Sequence, residues 1–396
     1  MEQTHEPAGL DAPLMIVLAV ACGMMVANLY FAQALVGEIA PALQLSPALA
    51  GLIVTLTQLG YGAGLFFVVS LADLLENRRL ILITTAGACL SEFGIFFSTG
   101  ATSFLIFSCL AGICSVGAQI MVPLAAHLAP EHSRGRVVGN IMGGLIAGIM
   151  LARPLASGLA ALAGWRTIFG VSGLALAVLF AVLAVTLPER RPPHRIRYGE
   201  ILRSGLLLLA RTRIIQRRTA YQAAMFAAFN LFWTAVPLVL ASRFHLGQGG
   251  IALFALAGAG GALTAPIAGR LGDRGHIRTG TAAALAGCIA AFALAGWAEA
   301  VHLLLVLAAA AILLDAATQM NQVLGQRILY SIAPEARGRI NAVYMTVVFL
   351  AGATGSMLAT VTLEHGGWSL TAIVGAAIGT AALLLFATEP HEARTA

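Results

Sequence analysis

The sequence predicts an all-α membrane protein, with twelve transmembrane helices in two pseudo-symmetric six-helix bundles. Three observations predict it. The 396 residues are 59% hydrophobic and only 10% charged, and the mean hydropathy is +0.89, far above a soluble domain's usual composition. About twelve apolar runs each approach the roughly 20 residues a membrane-crossing helix needs. Motifs of the first half return in the second at a nearly constant offset.

The runs are 13–36, 50–72, 80–98, 103–127, 137–163, 167–187, 217–241, 250–270, 277–297, 301–327, 338–362 and 367–387. Several connections are only a few residues long, so neighbours run antiparallel. The basic residues test the count. There is no lysine, and all of the 23 basic residues except Arg153, Arg166 and Arg243 fall on the side that holds both termini. The positive-inside rule makes that side cytoplasmic, and miscounting by one helix would scramble the split. The net charge of +6 and pI of about 9.4 are therefore topogenic and give no sign of nucleic acid.

The opening "MEQTHEPAGLDAP" has no basic residue, so the first run reads as a retained helix rather than a cleaved signal. The five cysteines, Cys22, Cys89, Cys109, Cys114 and Cys288, lie inside apolar runs without metal or disulfide spacing and read as small core residues. The arginine-rich stretch 188–216 reads as a cytoplasmic linker between a bundle over 1–187 and a second over 217–396.

The repeat is specific. "APEHSRGRVVGNIM" (129–142) corresponds to "APEARGRINAVYM" (333–345), so Arg134, Arg136, Met142 and Trp165 have counterparts 203 residues later at Arg337, Arg339, Met345 and Trp368. Leu71 and Asp73 of "LADLLENRR" precede Leu271 and Asp273 of "LGDRGHIR" by 200. Six is even, so the halves lie parallel, as in transporters built from two repeats with a site at the seam.

"GRLGDRGHIR" (269–278) resembles the Gly-x-Leu-Ala/Gly-Asp-Arg signature of the major facilitator superfamily. "NLYFAQALVGEIA" and "QLGYGAGLFFVVSLADLLENRRL" are similar to its bacterial proton-coupled drug and sugar efflux permeases. Leu74 and Glu76 stand where that signature has Arg and Gly, and Ser108 stands near the place of the fourth-helix arginine of drug/proton antiporters. "LARPLASGLAALAGWR" resembles the fifth-helix antiporter motif, with Arg153 where glycine normally precedes Pro154. The resemblance implies a cytoplasmic latch. Asp73 would meet the start of helix 11 beside Arg337 and Arg339, and Asp273 the start of helix 5 beside Arg134 and Arg136. Arg78, Arg79 and Arg274 complete the gate set, and a purely topogenic role for these charges is the alternative. A carboxylate at a helix N-terminus between guanidinium groups has a physical rationale.

Polar residues at helical spacing mark a candidate cavity. Helix 10 carries Asp315, Gln319, Gln322 and Gln326 in one stripe, and its mate helix 4 has Ser108, Gly112, Ser115 and Gln119 at the same spacing. Helix 7 offers Gln222, Asn230 and Trp233; helix 1 offers Asn28, Tyr30 and Gln33. The resemblance puts helices 1, 4, 7 and 10 around the substrate and helices 3, 6, 9 and 12 outside. The alternative is interhelical hydrogen bonding, worth about 0.6 kcal/mol per pair.

Three formal charges lie deep in apolar runs: Glu92, Arg153 and Asp315. Such charges are costly and usually face the bundle interior. Arg153 stays protonated, so it serves as an anion anchor or as a partner for Asp315, while Asp315 and Glu92 are the groups able to load and release a proton. Asp315 shares its face with the glutamines and is the expected coupling group. Glu92, on an outer helix, reads as a structural pair or a second proton site.

The expected function is secondary active transport by alternating access, with proton-coupled efflux of a small hydrophobic or amphipathic compound. The alternative is proton symport or facilitated uptake of a polar or anionic solute. The sequence holds no His-Glu-x-x-His, Gly-x-Ser-x-Gly or phosphate-loop motif, so no enzyme and no cofactor or metal is expected. The expected partners are a small-molecule substrate, protons and the lipid bilayer. The Ala/Gly/Leu bias, with arginine in place of lysine, points to a bacterial genome and so to an inner membrane, and the resemblance implies a working monomer.

Overall fold

The computed structural model describes residues 12–130, 133–192, 197–332 and 336–389. Arg195 and Arg394 of the arginine tally, and parts of both repeat motifs (131–132 and 333–335), lie outside them. All regular structure among the described residues is helical. Helix α1 is Ala12–Ala34 and a short α2 is Val36–Ala42; α3 (Leu52–Ala63) runs on through a π turn, Gly64–Val68, and a 3-10 turn ending at Asp73. Helix α4 is Asn77–Phe96. Helices α5 (Ala101–Cys114) and α6 (Gly117–Leu128) form one bent span, followed by α7 (Arg134–Ala163) and α8 (Arg166–Thr186).

After α9 (Tyr198–Arg211), α10 is Arg213–Ser242. Helices α11 (Gln248–Gly258) and α12 (Ala265–Asp273) flank a 3-10 turn at Ala259–Thr264. Helices α13 (Ile277–Ala300), α14 (Leu304–Ile332) and α15 (Arg337–Ala387) follow. Ten stretches are long and apolar enough to cross a membrane. The 51-residue α15 is two spans joined at Gly367, whose φ of 64° and ψ of −160° break the helix. The interrupted α11–α12 supplies the twelfth.

Two boundaries differ from the sequence expectation. Helix α10 begins at Arg213 and α14 ends at Ile332, because long arginine stems continue an apolar helix while their heads reach polar surroundings. Helix α9 lies within the linker expected over 188–216. Ile201, Leu202 and Leu206–Leu209 give it an apolar side against arginines on the other, and Ile201 is buried.

Packing divides the chain into two units. One takes residues up to Leu35 with Leu56–Leu202; the other takes Val36–Thr55 with the chain from Arg203. In the first, α1 and α7 cross at Gly23, Gly144 and Gly148, where any added Cβ would run into a carbonyl of the facing helix. Without a hydrophobic drive between helices in lipid, such close small-residue approach supplies the packing. The second unit repeats the device, Gly355 of α15 lying against the Ala227 carbonyl of α10. Thr55 also donates to the Ala353 carbonyl at 3.2 Å within that unit.

Candidate functional site

In the first unit the site is built around Arg153 on α7. Pro154 lies inside that helix, so the Met150 carbonyl loses its usual intrahelical donor. Arg153 is 5% exposed. Its Nε donates to Gln33 Oε1 at 3.0 Å, and its guanidinium carbon lies 5.0 Å from the centre of the Tyr30 ring. Tyr30 and Gln33 are buried one turn apart on α1. A ring face and an amide oxygen thus both hold the cation.

The other predicted residues of this unit divide. Asn28 faces α8, accepting from Ser172 Oγ at 2.9 Å. Gln119 donates to the Tyr61 hydroxyl at 3.3 Å. Ser115 is fully buried, its hydroxyl without a hydrogen-bond partner among the described residues. Tyr61 and Gln58, buried on one side of α3, escaped the polarity search, although their spacing of three residues was visible. Glu92 is 0% exposed, and neither carboxyl oxygen has a hydrogen bond among the described residues. Among the described residues Glu92 has no ion-pair partner, so the expected structural pair is not seen there; Arg153 is engaged by Gln33 and Tyr30, and Arg166 by the Ser98 carbonyl at 3.0 Å.

In the second unit Asp315 of α14 is 8% exposed and accepts at Oδ1 from the indole N–H of Trp233 on α10, at 2.7 Å. The 3-10 interruption between α11 and α12 packs beside this pair. Gly258 lies against the Trp233 ring and Gly261 against Asp315, close approaches that a side chain would forbid. Irregular backbone inside a membrane is tolerated where protein buries it or where it lines a cavity. The expected helix-10 stripe is parcelled out along its length. Gln322 accepts from Gln222 at 3.5 Å, Gln326 reaches Met345 Sδ at 4.0 Å, and Gln319 is half-buried. Gln222 takes its shorter bond, 2.7 Å, from Asn321, which lies off the stripe and was not anticipated. Asn230 donates to its own helix at Phe226.

Five of the gate charges have partners within their own units. Arg78 bonds the Ala184 carbonyl and lies 3.6 Å from Glu189, and Arg79 pairs with Glu76 at 3.0 Å. Asp273 pairs with Arg327 at 2.5 Å, a partner on α14 that the repeat did not indicate. Arg337 donates to the Tyr330 carbonyl and Arg339 to Ser204 Oγ. Arg134, Arg136 and Arg274 are exposed at helix ends, and Asp73 closes the 3-10 turn after α3. A second cluster escaped the sequence search. Arg218 pairs with Glu389 at 2.8 Å and bonds Thr281, while Tyr221 donates to the same carboxylate at 3.1 Å. Beyond the first span, burial raises the Glu38 carboxyl above its ordinary value against an opposing hydrogen bond with Gln248.

These features agree with the comparisons. The family model described as Major Facilitator Superfamily matches residues 15–294 and 219–396. The putative uncharacterized transporter YgaY of Escherichia coli K12 is 38% identical over 378 residues, covering 95% of each chain. The probable transporter SCO4007 of Streptomyces coelicolor is 32% identical, covering 93% of this chain and 86% of its own. Among solved structures, the xylose transporter XylE from E. coli in a partially occluded inward-open conformation aligns with a TM-score of 0.74 at 15% identity, covering 95% and 99%.

Proposed function

The chain belongs to the major facilitator superfamily and is a multi-pass membrane transporter, not an enzyme, and from that premise we propose that it exports a small hydrophobic or amphipathic compound in exchange for protons. One observation carries the coupling. Asp315 is a buried carboxylate held by the Trp233 indole N–H beside interrupted backbone. A carboxylate buried in this way changes protonation when its surroundings alternate between wet and dry. Gln222, Gln319, Gln322 and Gln326 supply the amides that orient a substrate, with Trp233 and Asn230 as its apolar and polar flanks. Asp73, Asp273 and the arginines at 78, 79, 134, 136, 274, 337 and 339 form the cytoplasmic gate, whose ion pairs exchange as the two ends open in turn. The chain works as a monomer in a bacterial inner membrane with both termini cytoplasmic.

A second reading rests on Arg153. A permanent buried cation over an aromatic face is an anchor for a polar or anionic solute, with Asn28, Tyr30, Gln33, Ser115 and Gln119 around it, and it favours proton symport or facilitated uptake. Everted vesicles with an acidic lumen, a pH-sensitive dye and a panel of cationic, neutral and anionic compounds separate the two. Compound-induced alkalinisation that disappears in Asp315→Asn supports export. Silence toward cations, with accumulation of an anion in right-side-out vesicles lost in Arg153→Met, supports uptake.

A further inference from the structure

Glu92 sits on α4 two turns beyond Thr85, and Thr85 Oγ1 touches Met25 Sδ of α1 at 3.9 Å, so the carboxyl lies on the helix face turned into the first unit. Against α5, Gly87 packs at Cys114 and Gly94 at Phe107, a register that brings Glu92 level with Ser108. Among the described residues the buried Ser108 hydroxyl has no hydrogen-bond partner, nor does the Asn28 amide nitrogen, one turn beyond Met25 on α1. The first unit thus buries three polar groups, Glu92, Ser108 and Asn28, that do not bond one another.

The charged and titratable groups around them are accounted for. On α4 itself, Cys89 donates to the Gly173 carbonyl, and Arg78 and Arg79 lie at the far end, paired with Glu189 and Glu76. Helix α8 carries one charged side chain, Arg166, spent on Ser98 and stacked on Trp165. Helix α5 offers the thiols Cys109 and Cys114, and α6 offers His127 at its cytoplasmic end. On α1, the Cys22 thiol points to the Ala118 carbonyl, and Tyr30 lies under Arg153. Asp73 closes the turn after α3.

An ionised carboxylate with neither counter-ion nor donor is among the least tolerable buried groups, and proteins resolve it by keeping the proton on. We infer that Glu92 is a second proton site, separate from Asp315, which holds its proton in this conformation and releases it when the first unit opens to water. This deepens the coupled-transport reading and rests on it. The chemistry is a simple acid dissociation: the carboxyl O–H breaks, the proton leaves to the water that enters as the unit opens, and that water solvates the carboxylate.

The test is infrared spectroscopy of the full chain in liposomes, read at the carbonyl stretch of protonated carboxyls. At neutral pH the wild type shows such a band, which shifts in heavy water and on carbon-13 labelling of glutamate carboxyls. It is missing in Glu92→Gln, remains in Asp315→Asn, and fades in wild type as pH is raised. Glu92→Gln keeps the shape and neutrality of the acid, and the labelling check needs no variant. A band that survives Glu92→Gln, that ignores glutamate labelling, or that persists to the alkaline limit overturns the inference. The readout needs no substrate, so silence in the vesicle assay counts against coupled transport without touching the band.

Discussion

Arg218 and Glu389 form an ion pair of 2.8 Å in which both side chains are almost fully buried, 5% and 10% exposed. Arg218 reaches Thr281 with a second nitrogen, and Arg278 donates to the Glu389 carbonyl at 3.0 Å. The pair ties the start of α10 and the start of α13 to the end of α15. Breaking a buried pair strands the remaining charge, at a cost of about 3 kcal/mol. Glu389→Gln therefore lowers the midpoint of thermal unfolding in detergent, and Arg218→Met with Glu389→Leu regains most of it. A Glu389→Gln protein as stable as wild type would show that water already screens the pair.

Trp233→Phe keeps an aromatic ring on α10 and removes the indole N–H that binds Asp315. A hydrogen bond to a charged group is worth about 1.5–3 kcal/mol, so the initial rate of compound-induced proton movement falls about tenfold or more. Thermal stability falls only modestly, because the smaller ring keeps Phe229 and Phe232 as neighbours and leaves a small cavity beside Gly258. Unchanged rates would separate Trp233 from the coupling step.

Most of the architecture was legible because lipid forces it: apolar length and alternating arginine side define twelve spans, and close helix crossings demand glycine. The twin halves were legible as well, and their offset reached further than the motifs first used. Arg78 with Glu189 recurs 200 residues on as Arg278 with Glu389. The pairing of polar side chains was not legible. Asp315 and Trp233 are 82 residues apart, and helical spacing fixes which face a residue occupies but not which neighbour meets it. Asn321 was missed for the same reason, since its partner Gln222 approaches from outside the stripe. The break between α11 and α12 hid in composition: "AGAGGALTAP" is apolar enough to read as continuous helix, and only its glycines signal the 3-10 turn.

Arg153→Lys preserves charge but loses both contacts that orient it. Lysine has no Nε fork to give Gln33 and no planar group to lie over Tyr30. Transport in whichever direction operates falls about tenfold or more, and Gln33→Ala produces part of the same loss. Activity of Arg153→Lys equal to wild type would mean that charge alone matters at this position.

Glu38 gives a pH signature outside the membrane span. Burial raises its carboxyl in the folded state above the ordinary value of 4.5, with the Gln248 hydrogen bond opposing. The folded state thus holds this proton more tightly than the unfolded chain does. Its contribution is fully present below 4.5 and is lost as pH rises through the raised folded value. Glu38→Gln removes that slope, so the thermal midpoints of wild type and variant diverge as pH rises above 4.5, the variant being the more stable. Parallel curves across this window would show that Glu38 titrates alike in both states.

Gly148 tests the helix crossing that positions Arg153, which lies five residues further along α7. A side chain there would meet the Gly23 carbonyl and Cα of α1. These are backbone atoms with no rotamer to give way, and overpacking costs about 1–3 kcal/mol or more when nothing can relax. Gly148→Leu therefore unfolds at lower temperature than wild type. Whatever protein remains folded also transports poorly, because α1 is displaced and carries Tyr30 and Gln33 away from the guanidinium. Gly143→Leu, on the same helix but facing open space, is the control and leaves both properties near wild type. Equal losses in the two variants would trace the effect to leucine in α7 generally and remove the crossing as its cause.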